Sequence, residues 1–131
     1  MNTLNGSIRI SASGLSAERT RLDVISSNIA NANSQKIKGG ADPYRRREVV
    51  LSNGPDGVEV TAVLEDPRPF REVSDPGNPN ADANGKVLFS NVDPIYEMVN
   101  MMGASRAYEA NIAAFNSTKS MIRSALQIGK V

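Results

Sequence analysis

The chain has 131 residues, a formal net charge of +1 with acids and bases interspersed, and neither cysteine nor histidine. The length fits a single domain, and the charge balance gives no argument for nucleic acid or an anionic membrane. The missing side chains remove disulfides, thiol nucleophiles, the commonest transition-metal ligands and the usual neutral-pH acid and base, so a chain without catalysis or cofactor is expected.

At the start, Met1 to Ser7 shows no cationic residue leading into an apolar stretch, and nowhere do about 18 apolar residues run together. No cleaved secretion signal and no membrane span are expected. From Leu4 to Ala32 the apolar residues recur three, four or seven apart: Ile8, Leu15, Leu22 and Ile29 form one row, and Leu4, Ile25 and Ala32 the other, with Ser11 and Glu18 as its polar members. This is a heptad seam. Gly6 and Gly14 each cost a helix about 1 kcal/mol relative to alanine, so the first turns are expected to order on assembly. Ala12, Gly14 and Ser16 allow a close helix contact, either within the chain or with another chain. Three asparagines and a serine near Asn33 and Ser34 compete for backbone hydrogen bonds and predict the helix end there.

Between the helices the period changes to two. Val58, Val60, Ala62 and Leu64 alternate with Glu59, Thr61, Val63 and Glu65, which predicts a strand, with Arg46 to Leu51 as its partner across the turn formers of 52–57. Further extended pieces are expected at 69–73 and 86–89, separated by a loop from Asp75 to Gly85 with little regular structure. Such a hairpin needs the helices or a neighbouring subunit to cover its apolar face.

A second seam runs from Met98 to Leu126 through Met101, Tyr108, Ile112, Phe115 and Ile122. Asp93 is placed to cap this helix, Pro94 to fill its first position, and Glu97 to sit near the positive end of the dipole. Gly129 is expected to take a left-handed turn and Lys130 to complement the carbonyl end. Its alanines and Gly103 either allow close helix approach or serve as helix-favouring filler. The fold class is therefore mainly α with a small β insertion. Residues 1–34 and 93–131 are expected to pair as an antiparallel coiled coil, and 35–92 to form a short β-hairpin and loop region between them. Seams that reach both chain ends predict pairing of the termini and further pairing with other chains.

Candidate chemistry is sparse. Arg45, Arg46 and Arg47 form the only dense basic run; a solvated strand or a salt bridge to a neighbouring subunit explains it better than phosphate contact, because no aromatic interleaving accompanies it. Asp66, Asp75, Asp82 and Asp93 stand in turn-like settings and are expected to serve turns and caps. Asn28 and Asn111 fall beside the seams, where a hydrogen-bonded amide fixes alignment or an exposed one fills space.

Specific strings go further than periodicity. Ala12 to Thr20, then Leu22, and the stretch Ser26 to Ser34 with its quartet Asn28-Ile29-Ala30-Asn31, resemble the N-terminal signature of bacterial flagellar rod and hook proteins. Glu97 to Met102 and Ala104 to Asn111 resemble the C-terminal motif of a proximal rod member. Asp75 to Asp82, followed by Gly85-Lys86-Val87, is similar to that member's Asp-Pro-rich loop. The resemblance departs at Asn78, Lys86 and Ser90, where the family often has histidine, an aromatic and proline.

The resemblance implies a structural subunit of the basal-body rod. It also implies export by the flagellar type III apparatus without a cleaved signal, assembly in the periplasm, and torque transmission from membrane ring to hook. Implied partners are other rod proteins, membrane-ring and adaptor components, the export apparatus and copies of the chain, with no nucleic acid and no direct membrane span. Packing is assigned to Leu15, Leu22, Ile25, Ile29, Ile112, Phe115, Ile122 and Leu126, alignment to Asn28 and Asn111, and motif contacts to Asn31, Met98, Met102 and Tyr108. A non-flagellar coiled-coil scaffold or adaptor is the alternative.

Overall fold

The computed structural model describes residues 2–130; Met1 and Val131, the outer limits expected for the helical segments, lie outside them. Two long helices frame a small β region. The order is α1 (Asn2–Ala30), the antiparallel pair β1 (Arg47–Gly54) and β2 (Gly57–Glu65), the antiparallel pair β3 (Arg71–Ser74) and β4 (Lys86–Phe89), and α2 (Pro94–Ile128). The mainly helical architecture agrees with the expectation from periodicity.

α1 runs through Gly6 and Gly14 without a break and ends at Ala30, short of the expected Asn33. The reason is local. The Asn31 side-chain amide donates to the Ser27 carbonyl at 2.8 Å, the same oxygen its backbone N–H reaches at 3.1 Å, so the chain tightens into a turn over 31–33. α2 starts as its sequence indicates: Asp93 accepts from the Ile95 and Tyr96 amides at 3.0 and 3.4 Å, and Pro94 occupies the first turn. Gly129 is not left-handed as expected. Its φ is −71°, and its amide still bonds the Ala125 carbonyl at 3.1 Å, so the helical hydrogen bonding continues through it.

The β1–β2 ladder reaches further than expected, taking in Ser52 and Asn53, because Gly54 pairs with Gly57 across a turn of only Pro55 and Asp56. Val50 pairs with Ala62 and Leu51 with Val60, which leaves Thr61 as an extra residue, a β-bulge; its hydroxyl donates to the Val50 carbonyl at 3.2 Å. The hairpin lies along α1. Ser13 Oγ accepts from Val58 N–H at 3.0 Å and donates to the Ile10 carbonyl at 2.7 Å, and Arg9 meets Asp56 at 3.5 Å. The shorter pair β3–β4 is tied to the end of α1 through the Lys36 amide on the Leu88 carbonyl and the Ser90 amide on the Ser34 carbonyl, at 2.9 and 3.0 Å.

The buried apolar residues are mostly small: Ala17, Ala32, Ala81, Val87, Val92 and Ala104, with Ile25 the largest of the set. No large aromatic anchors this core, so close approach and hydrogen bonding must hold what bulk does not. Gly57 is one such approach. Its φ is +121°, and a Cβ there would meet Ser13 Oγ and stand 3.2 Å from Ile10 Cα. Gly57→Ala is therefore expected to cost about 1–3 kcal/mol in urea unfolding, through backbone strain and loss of the hairpin's seat on α1. An unchanged midpoint would show that the seat carries no stability.

Candidate assembly site

Two contacts set the helix register. Asn28 Nδ2 donates to Glu97 Oε2 at 3.3 Å, and a Cβ on Gly14 would lie 2.8 Å from Asn111 Nδ2. The partners are fourteen residues apart on both helices, so α1 and α2 run antiparallel in one constant register. The row of α2 that faces α1 most closely is Glu97, Ala104, Asn111 and Thr118, seven residues apart; Glu97 and Ala104 are fully buried and Thr118 nearly so. Met101, Tyr108, Phe115 and Ile122 flank it, half-buried.

This is a rotation of the expected seam. Met98 and Leu126, read as seam positions, are more than half exposed, as is Met102, and Ile112 is 37% exposed. Counting apolar side chains alone misplaces the contact, because small and hydrogen-bonded residues permit the closest backbone approach. On α1, Ile25 and Asn28 are buried, Leu15, Leu22 and Ile29 are half-buried, and Asn31 is exposed in the turn. The structure thus brings Ile25, Asn28, Tyr108, Asn111, Phe115 and Ile122 to the helix interface. It leaves Asn31, Met98, Met102, Ile112 and Leu126 outside.

At one end of the helix pair lies a buried polar cluster. Asn28 is fully buried and uses both ends of its amide: Nδ2 donates to the Arg47 carbonyl at 2.9 Å as well as to Glu97, and Oδ1 accepts from the Arg47 amide at 3.0 Å and the Tyr44 hydroxyl at 2.9 Å. It is alignment hardware and not exposed filler. Burial raises the Tyr44 hydroxyl's pKa, with Arg47 opposing, which keeps it a donor.

Arg46 is 5% exposed and bonds Glu97 through Nε, Glu48 through Nη1 and Asp66 Oδ2 at 3.3 Å. Burial works against its charge, yet the hydrogen bonds to Glu48 and Glu97 outweigh that and raise its pKa. Asp66 is forked by Arg68, at 2.6 Å from Nη2 and 2.9 Å from Nε. Asn91 closes the cluster, accepting from the Arg46 amide at 2.7 Å and donating to the Asp66 and Arg68 carbonyls at 3.2 and 3.0 Å.

The arginine run is therefore not a uniformly solvated strand: Arg46 is buried, Arg45 half-buried and Arg47 exposed. Arg46 turns inward, Arg45 donates to the Asp66 and Arg68 carbonyls at 2.9 Å each, and Arg47 lies 5.6 Å from the Tyr44 ring centroid. Asp66 is likewise a buried ion partner and more than a turn former, and Glu97 answers Arg46 across the fold as well as sitting in the first turn of α2. The available signals were the alternation of three arginines entering a strand, which sends the middle one to the opposite face, and Glu97 falling on the Ala104 and Asn111 row. Neither signal names the partner.

Chemically the cluster holds and does not react: each carboxylate faces an arginine. Among the described residues no group of three or more His, Cys, Asp or Glu side chains could hold a metal ion, and no helix is long and apolar enough to cross a membrane.

Two outcomes follow from the cluster. Arg46→Met strands Glu97 and is expected to cost about 3–5 kcal/mol, whereas Arg46→Met with Glu97→Leu should cost clearly less than the two single changes summed. Additive losses in urea unfolding would mean the pair is not coupled. For pH, Arg68 hydrogen bonds hold the Asp66 carboxyl well below the usual carboxylate range against burial, with Arg46 adding. A depressed folded pKa gives stability that is present above the unfolded value near 4 and is lost as pH falls below it. Asp66→Asn should flatten the decline between about pH 5 and pH 2; parallel curves for both proteins would exclude this contribution.

Comparison with known proteins gives concordant matches at both ends. Residues 8–34 match the family described as flagella basal body rod protein, and residues 83–128 the family described as flagellar basal body rod FlgEFG protein C-terminal. Over 145 residues the chain is 41% identical to the flagellar basal-body rod protein FlgC of Bacillus subtilis, covering 95% of this chain and 97% of the relative. The FlgC of Salmonella typhimurium is 45% identical over 127 residues, 92% and 94% of the two chains, and that of Agrobacterium fabrum 38% over 136 residues, 99% and 98%.

Proposed function

The chain belongs to the FlgC family of flagellar basal-body rod proteins, and we propose that it builds the proximal part of the rod by packing its helix pair against those of neighbouring subunits. A rod subunit of this family is a structural component of the flagellum and not an enzyme. The observation that carries the packing mechanism is the rotated seam. Polar and small residues close α2 onto α1, and the apolar residues Met98, Met102, Ile112 and Leu126 are left on the outside.

In this mechanism the two helices supercoil as an antiparallel pair, and the half-buried Leu15, Leu22 and Ile29 complete their burial against other chains. Neighbours are other rod proteins, ring and adaptor components, and further copies. The contacts are heterologous and do not close, which is how a helical tube grows. The subunit reaches the periplasm through the flagellar type III apparatus without a cleaved signal. Torque then passes along packed helices, with the Arg46–Glu97–Asn28 cluster keeping the β region from shearing against them.

The test separates folding from assembly. Met98→Glu with Met102→Glu changes two exposed side chains, so stability should move by no more than about 0.5 kcal/mol per site. Rods should nevertheless fail to form, and cells should not swim. Normal swimming would remove this face from the assembly surface.

A further inference from the structure

Two surfaces of opposite charge stand at different heights on the molecule. One is the helix-pair end formed by residues 2–13 and 112–130, whose charged side chains are Arg9, Lys119, Arg123 and Lys130, with no acid. Met121, Leu126 and Ile128 are exposed among them. The other is the β1–β2 hairpin. Residues 47–65 set Arg47 against Glu48, Asp56, Glu59 and Glu65, a net charge of −3, and Val50, Leu51, Val63 and Leu64 are exposed near the bulge. Among the described residues Glu59, Glu65, Lys119 and Arg123 make no ion pair.

Within one chain these surfaces meet only near the hairpin tip. The hairpin lies beside α1 from Ser13, which holds Val58, to Asn28, which holds Arg47. In the helix register those levels correspond to α2 near Ile112 and at Glu97. The tip itself, with Gly57 against Ile10, stands at the level of Phe115, so the stretch from Asn116 to Ile128 runs roughly 20 Å past it. They touch at the hairpin tip, where Gly57 seats on Ile10, Val58 bonds Ser13 at 3.0 Å, and Arg9 meets Asp56 at 3.5 Å, an attractive pair.

We infer that the acidic, partly apolar hairpin of one copy docks on the basic, partly apolar end of the helix pair of the next copy. This rests on the rod-subunit reading and names the partner as a second copy of this chain. The contact joins two different patches, so every copy offers one of each and the series continues without closing. Complementary charge sets register and encounter rate, and the apolar side chains supply the burial. A polyanion such as nucleic acid would satisfy the basic end but leave Val63 and Leu64 uncovered.

The chain contains no cysteine, so Val63→Cys and Ser120→Cys introduced together supply its only thiols. Both positions are exposed. They lie roughly 30 Å apart along the helix axis, far beyond the reach of an intrachain disulfide. Basal bodies from flagellated cells carrying the double variant in place of the original chain are oxidised and run on a non-reducing gel. A ladder of dimers, trimers and higher multimers, absent from either single variant, is expected. Basal bodies that contain the chain but give no ladder overturn the hairpin contact and leave the rod reading intact. Basal bodies that lack even the original chain overturn both. Charge reversal tests the same contact without thiols: Glu59→Lys and Lys119→Glu should each cut rod number about tenfold, and together restore it. A double variant no better than the worse single one overturns the contact.

Discussion

The rest of the structure depends on how Arg46 and Glu97 are buried together. Taking two charges out of water is expensive, and their mutual attraction offsets that cost only when the remaining hydrogen-bonding capacity is met. Here it is met: Asn28 takes the second Glu97 oxygen, while Glu48 and Asp66 take the other side of Arg46. The cluster joins α1, α2 and β1 at one point and admits one arrangement. A slip of α2 by one turn would leave Glu97 buried without partners and strip Arg46 Nε of its own, a penalty that apolar side chains of similar volume would not impose.

That specificity matters because the apolar core is thin. Ala17 and Ala104 are almost wholly buried, and they favour close helices without dictating register, since one alanine fits much like another. Register comes instead from the polar members of the facing rows, Asn28 with Glu97 and Asn111 beside Gly14. A seam built this way leaves the bulky side chains of α2 unused. Ile95, Met98, Val99 and Met102 are all more than half exposed over two turns of helix, an apolar concentration that a solitary soluble chain has no reason to display.

The helices, the hairpin and the cap of α2 were legible because their causes are local. Asp93 and Pro94 act on the next three residues, and the alternation of 58–65 needs only its own strand. Arg46 and Glu97 were not legible as a pair: fifty-one residues separate them, and each has a plausible local reading, one as a solvated base and the other as a dipole partner. The rotation of the seam escaped for a related reason. Periodicity finds the stripe of apolar residues, but which stripe meets the partner helix is decided by where backbones can approach and where polar groups are satisfied, and that requires the second helix. The assembly role itself became visible through the strings around Asn28 and Asn111, not through the period.

The two ends of the helix pair have different physics. At the Glu97 end, buried ion pairs and backbone hydrogen bonds fix α1, α2 and the β region to one another. At the other end the side chains are basic and apolar, and hydrogen bonds between side chains across the helices are absent among the described residues. Under the proposed route of export followed by refolding against neighbours, a subunit gains from this division. The latched end specifies the fold from within the chain, where every partner travels with it. Under the proposed docking, the open end keeps its attractive surfaces unspent until another copy supplies acids and apolar side chains, which favours growth at the tip of the rod over association in solution, where the concentration of partners is low.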